Sequence, residues 1–384
     1  VDRLRIVVLG YVVRGPLGGI SWHPAQYLTG LLSLGHDAVF LEDSGDDPWC
    51  CYDPSRHATD SNPGYGLRYA AGFFQRLGAG QRWAYYDAHR GEWCGPLAAQ
   101  APERCRTADL VLNISGINPL RHGLENSPHR VYVDTDPVFT QIRNLQEPDR
   151  RALTQAHNRH FSFGENVSNL PADGFSWRPT RQPVDLRFWP LTPAPSPRRF
   201  TTVMQWESYP SREHQGRLYG MKSLTFPEFQ ALPSRVRCEL EAALGGPSAP
   251  LSSLRASGWR LANPLEVTAT PWSFRDYIQA SAAEFSVAKH GYVISSCGWF
   301  SDRSAAYLAS GRPVVVQDTG FQTWLDAPGG VLPFGTPEEA ALAIEEVDAH
   351  YEHHSRLARA VAEEYFAAGK VLSRLLEQVS ENSN

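Results

Sequence analysis

The sequence contains no uninterrupted apolar run near the roughly 18 residues that a membrane-spanning helix needs, so no segment reads as a membrane span. It has no excess of positive charge. Its 36 Lys and Arg stand against 41 Asp and Glu, leaving a formal charge of −5. Backbone phosphates are neutralised by clustered cations, so nucleic acid is not an expected partner. The six cysteines, Cys50, Cys51, Cys94, Cys105, Cys238 and Cys297, form no CxxC and no paired metal spacing. Scattered thiols fit a reducing, cytoplasmic setting. Residues 1–10 lack the apolar stretch and cleavage site of a signal peptide. GxGxxG is also missing, because Gly15, Gly18 and Gly19 have the wrong spacing for it. What remains is an ordinary globular composition in 384 residues, long enough for two cores.

The apolar pattern sets out two α/β halves. Residues 5–9 read as a buried strand, followed by a turn with Gly10, Gly15, Gly18 and Gly19. A helix is expected over 24–34 and a second strand over 37–41, ending in Glu42 and Asp43, which together make a βαβ unit. Residues 44–63 read as a long loop and 66–77 as a helix. Further strands are expected at 110–114, 130–133 and around Phe161 and Phe163. Six prolines between 179 and 197 mark a linker. A new strand opens at Phe200, followed by a helix over 274–283, a strand over 292–295, a helix over 301–310, and strands over 313–317 and 331–334. Thr336, Pro337 and Glu339 have the form of a helix start, and the chain from there to 379 reads as helix. His353 and His354 on it read as a solvated face.

The segment 295–320, SSCGWFSDRSAAYLASGRPVVVQDTG, carries the most local chemistry. A strand end, a glycine turn and a helix capped by Ser301 place unpaired N–H groups and partial positive charge at a strand's carboxyl edge. That is a ready diphosphate site, to which Arg303 adds a charge-assisted contact. The same pattern also serves plain strand–helix–strand packing. Asp134-Thr135-Asp136 has the DxD form that holds Mg²⁺ or Mn²⁺ elsewhere, and equally that of a turn cap before Pro137.

Tyr307 to Gly320, YLASGRPVVVQDTG, and the preceding GWFSDRS resemble the donor-diphosphate region of GT-B-fold glycosyltransferases. GPLGGISWHPAQYLTGLLSLGHDAVFLED resembles that family's opening. The resemblance covers about two-thirds of the chain and touches the family 4 and family 1-like branches. It departs from family 4 where two glutamates are usual, since Gly298 and Ala306 stand there. It implies two facing Rossmann-like domains, 1–190 on the acceptor side and 191–365 on the nucleotide-sugar side, with a helical tail, 366–384, packed back on the first. It implies a UDP- or dTDP-linked sugar as co-substrate, no other cofactor, no metal, and a soluble small-molecule acceptor such as an antibiotic intermediate.

The resemblance also assigns residues. Donor contacts are expected from Gly18, Gly19, Lys222, Glu284, Lys289, Gly298, Trp299, Phe300, Ser301, Arg303, Asp318 and Thr319. Lys222 offsets diphosphate charge, or is a surface lysine. Glu284 and Lys289 hold sugar and phosphate, or form a solvated pair. His23 is the expected general base, since an imidazole titrates near neutrality, with Asp134 orienting its ring. It is otherwise a helix-packing residue. Asn113 and Asn118 line the acceptor side or cap turns. Three rivals stand beside this reading: an NAD-dependent oxidoreductase with Glu42 on the ribose, a sugar-nucleotide epimerase, and a non-catalytic nucleotide-sugar binder.

Overall fold

The computed structural model describes residues 3–381. Two parallel sheets dominate. The first has eight strands in the order 177–179, 159–162, 129–134, 110–114, 5–9, 37–43, 83–87 and 92–94. All pairs are parallel except the last, which is antiparallel. The second has six, all parallel, in the order 260–262, 239–245, 199–205, 283–286, 314–317 and 331–334. Strands such as Ile6–Leu9 and Val314–Val316 are buried throughout, as sheets covered by helices on both faces require.

The opening unit is strand–turn–helix–strand, as its pattern implies. The helix, Gly18–Ser33, starts six residues earlier than expected and takes Pro24 inside it. The pyrrolidine packs on Gly10 at the end of the first strand, where a Cβ would meet Pro24 Cβ at 2.6 Å. The loop expected over 44–63 contains a small hairpin, Cys51–Asp53 with Ala58–Asp60. All six cysteines are free thiols.

One element differs in kind. Residues 292–295 lie in a helix, His290–Ser295, and the strand is Ala283–Ser286, which was expected to end a helix. Tyr-Val-Ile-Ser is β-favouring by composition, and short apolar runs do not separate strand from helix by period. Ala283–Ser286 is fully buried between Arg199–Gln205 and Val314–Gln317, and that slot decides the matter. The preceding helix is correspondingly shorter, Pro271–Gln279.

The C-terminal helix, Ala368–Ser380, lies on Gly18–Ser33, as the resemblance implies. A Cβ on Gly30 would meet Leu372 Cδ1 at 2.6 Å and Ala368 Cβ at 2.8 Å. The chain therefore passes between the two sheets twice, around 184–198 and again near 361–368. The passages are joined: Val184 N–H donates to Phe366 O at 2.7 Å, and Ala368 N–H donates to Val184 O at 2.9 Å. Among the described residues, no helix is long and apolar enough to cross a membrane.

Candidate active site

The carboxyl ends of both sheets face one cleft. Its main cavity, about 900 Å³, is lined by Gly10, Tyr11, Gly19 and His23 from the first half and by Gln205, Lys222, Gly245, Asp302 and Arg303 from the second. A neighbouring cavity of about 370 Å³ shares Tyr11, Lys222, Asp302 and Arg303, and adds Asp136, Lys289, Trp299 and Ser301. Strand ends at such an edge are where open α/β sheets take their ligands.

Lys222 begins a short helix, Lys222–Thr225, and is buried. Burial pushes its ammonium well below the usual lysine range, and the charges of Arg303 and Lys289 push it further. An anion there would reverse that balance. Across the cleft, Ser301 caps the helix Asp302–Ala309 by accepting from Arg303 N–H at 3.2 Å. Arg303 is anchored: Nε donates to the fully buried Glu284 at 2.5 Å, Nη1 to Val203 O at 2.5 Å and Nη2 to Ser286 Oγ at 2.6 Å. Three of the five guanidinium N–H groups are thereby occupied, and the group is held rigidly at the cavity wall. Glu284 is this anchor and not a ligand contact in the cavities.

His23 lines the main cavity, and its Nε2 is buried with no hydrogen-bond partner among the described residues. Burial lowers its pKa below the usual imidazole value, and the negative charge of Asp302 works against that. The ring lines the cavity with a depressed pKa, while Nε2 itself lies buried within the wall. Asp134 does not orient it. The Asp134 carboxylate accepts from Asp136 N–H, Thr140 Oγ1, Gln141 Nε2 and Ser162 Oγ, at 2.7–3.0 Å. It is fully buried and ties its strand to the following helix, Phe139–Gln146. Asp302, whose side chain has no hydrogen-bond or ion-pair partner among the described residues, is the carboxylate whose field reaches His23.

Lys289 does meet a carboxylate, but a protein one. Its Nζ donates to Asp136 at 2.8 Å and to Tyr209 at 2.8 Å. Asp136 also accepts from Arg143 at 2.8 Å and from Tyr292. Burial alone would raise the Asp136 pKa; Lys289 and Arg143 overcome this and hold it at about 2. The DxD pattern is thus two committed carboxylates. One is an internal cap and the other a latch between the halves, so neither offers a metal an open oxygen pair.

Gly18 and Gly19 serve closeness of a different kind from that expected. Gly18 N–H donates to Thr268 O at 2.8 Å, and a Cβ there would meet Phe274 Cβ at 2.7 Å. The second half itself occupies the space, and only Gly19 reaches the cavity. Gly298 takes φ +78° beside Asn166 and is likewise a packing position. Trp299 reaches the smaller cavity and lies 4.5 Å from Tyr292. Phe300 stacks on Phe366 in the core. Asp318 caps its own turn through Gly320 N–H, and Thr319 is buried with its hydroxyl on Trp299 O.

Asn113 and Asn118 are fully buried and hold the first half together. Asn113 Nδ2 donates to Asn118 O at 2.8 Å, and Asn118 Nδ2 to Gly10 O at 2.9 Å. Glu42 accepts from the N–H groups of Val12, Val13 and Arg14 at 2.7–2.8 Å. It pins the opening loop and has no free oxygen for a ribose, which removes the residue on which the oxidoreductase reading stood. The sequence reading missed Tyr11, Gln205 and the Gly245-Gly246 strand end, none of which has a local motif.

No family model matches the chain, and no curated protein sequence matches it. Solved structures do. AviGT4, a glycosyltransferase involved in avilamycin A biosynthesis, is 14% identical over 98% of this chain and 97% of its own, with a TM-score of 0.57. HepE of Anabaena, solved with UDP and glucose, is 11% identical over 98% and 100%, with a TM-score of 0.56. An alpha-glucosyltransferase bound to UDP and a 13-mer DNA is 8% identical over 99% and 100%, with a TM-score of 0.59. The chain has the GT-B fold across both halves. The DNA complexes of the alpha-glucosyltransferase correct one expectation: absence of a net basic excess does not exclude nucleic acid as a partner for this fold.

Proposed function

We propose that the protein is a nucleotide-sugar-dependent glycosyltransferase. The observation that carries this is that buried Lys222, anchored Arg303 and Asp302 line both cavities and share the larger one with His23. The donor diphosphate lies between Lys222 and the N-terminal turn of Asp302–Ala309, where cation and helix end offset the leaving-group charge. Ser301, Arg303 and Trp299 shape that wall. The nucleoside rests against Gly245, Gly246 and Leu265. An acceptor hydroxyl enters beside Gly19 and attacks the anomeric carbon. The carbon–oxygen bond to the diphosphate breaks, the nucleoside diphosphate departs, and the hydroxyl proton passes to the His23 imidazole. Asp302 stabilises the imidazolium so formed. The occupied oxygens of Asp134 and Asp136 favour a reaction without a bound metal.

Two acceptor classes follow from similar folds: a small biosynthetic intermediate, since AviGT4 is involved in avilamycin A biosynthesis, and DNA, since the alpha-glucosyltransferase is found in complex with it. The test is a thermal-shift screen with UDP, dTDP, GDP, their sugars and NAD(H), since a ligand of the native state raises apparent stability. A shift with one nucleoside diphosphate that is lost in Lys222→Met supports the reading. Acceptor-dependent release of that nucleotide, assayed with both acceptor classes, separates transferase from binder. A shift with NAD(H) alone overturns it.

A further inference from the structure

The helices Pro337–Ala349 and Tyr351–Val361 meet at His350, whose φ of −119° and ψ of 37° break the helix for one residue. Glu346, His350 and His354 stand at i, i+4 and i+8 across this break. Their ligand atoms lie within 4.8 Å of one another. His350 Nδ1 is 3.0 Å from Glu346 Oε1, and His354 Nε2 is 3.3 Å from the same oxygen. Donor atoms around a four-coordinate zinc with bonds of about 2.0–2.1 Å sit roughly 3.3–3.5 Å apart, so each imidazole nitrogen already stands near ligand spacing from the carboxylate oxygen.

His354 is not the solvated residue its sequence position implies. It is buried, and its Nδ1 meets Gly329 O. A carbonyl only accepts, so Nδ1 carries the hydrogen, and in the neutral ring Nε2 presents its lone pair. The position between Nε2 and the carboxylate oxygen is one that either a proton or a metal cation fills. An imidazole whose other nitrogen donates to a backbone carbonyl is the usual form of a metal-ligating histidine.

We propose that Glu346, His350 and His354 form a binding site for a borderline divalent cation, Zn²⁺ above all, with water completing the coordination. Two imidazoles and one carboxylate suit zinc and its transition-metal neighbours; Mg²⁺ and Ca²⁺ take all-oxygen sets. The role is structural. The next turns of the same helix hold the carboxyl end of Asp302–Ala309, through Ser355 Oγ to Gly311 O at 2.7 Å and Arg359 Nη1 to Ala309 O at 2.6 Å. A metal at the break fixes the helix that backs the donor-side helix, and ties it to the turn at Gly329.

The experiment is calorimetric titration of zinc chloride into the full chain after dialysis against EDTA. Saturable one-to-one binding is expected, with no heat from magnesium chloride. Cobalt chloride should give the visible absorption of a tetrahedral ion. Glu346→Gln and His350→Ala, both at exposed positions, should each weaken zinc binding at least about tenfold, while His353→Ala should not. The proposal fails if zinc does not saturate one site, if magnesium binds equally, or if Glu346→Gln and His350→Ala bind as the parent does. In those cases a proton on His354 Nε2 bridges to Glu346.

Discussion

Asp136 is the carboxylate most strongly perturbed downward, and replacing it with Asn tests how the cleft is kept closed. Its partners come from both halves: Arg143 from the first, Lys289, Tyr209 and Tyr292 from the second. The drop from 3.8 to about 2 corresponds to about 2 kcal/mol, at roughly 1.4 kcal/mol per pKa unit. Asn also leaves Lys289 and Arg143 facing one another without a counter-charge, which brings the expected loss to about 2–4 kcal/mol. A depressed carboxylate pKa gives stability that is complete above about 3.8 and is lost as the pH falls through about 2. Urea unfolding of parent and Asp136→Asn should therefore differ by the same amount at pH 7 and pH 5, and the gap should narrow below about pH 4. A double-mutant cycle with Lys289→Met should show a coupling above about 1 kcal/mol. If Asp136→Asn unfolds within about 0.5 kcal/mol of the parent at pH 7, or the cycle is additive, the latch does not hold the halves together.

Other changes test other parts. Gly18→Ala forces a methyl against Thr270 and Phe274 and should cost about 1–3 kcal/mol in thermal or urea unfolding; an unchanged midpoint would show that the lip of the cleft is slack. His23→Ala should lower turnover by about 100-fold or more while leaving nucleotide affinity near the parent value. Because burial lowers the His23 pKa, the basic form persists below pH 6.5 and activity should fall only at more acid pH; a profile falling through or above 6.5 would remove His23 as the base. Lys222, held below its usual pKa, should take up a proton when a nucleoside diphosphate binds. Calorimetry in buffers of different ionisation enthalpy reads that uptake, and Lys222→Met should abolish it.

The fold was legible where one signal dominated. Strand 314–317 is fully buried and opens with three valines, strands 199–205 and 331–334 are partly buried around Phe200, Val203, Val331 and Phe334, and Ser301 and Thr336 are true caps. Strand 239–245, Glu-Leu-Glu-Ala-Ala-Leu-Gly, was missed because its residues favour helix, yet it is paired on both sides in the second sheet. The site was legible only in part. His23, Lys222 and Arg303 sit next to turns that can be read locally. Tyr11, Gln205 and Gly245 come from separate strand ends and share no spacing. Asn113, Asn118, Asp134 and Asp318 look like ligand residues because polar groups at strand ends do, and here they hold backbone and one another. One signal was present and not used. The chain has 36 Lys and Arg, of which only Lys222, Lys289 and Lys370 are lysine. Where arginine is the default cation, a lysine marks a place that takes a compact point charge in place of a planar fork, and two of the three line the cleft.

The bonding of Val184 to Phe366 and Ala368 makes two strands of connecting chain into one hinge pin. Were the crossings far apart, each would resist twisting of the other and the halves could move only by stretching. Side by side and hydrogen-bonded, they act as a single connection, and any opening of the cleft would turn about it. The halves are bonded elsewhere too, at Gly18 with Thr268, at Trp22 with Pro271, at Asn166 with Ser296 and Gly320, and at Asp136 with Lys289. A protease cut among the prolines of 190–197 would leave the second crossing whole, and the nicked protein should still carry its two halves as one particle.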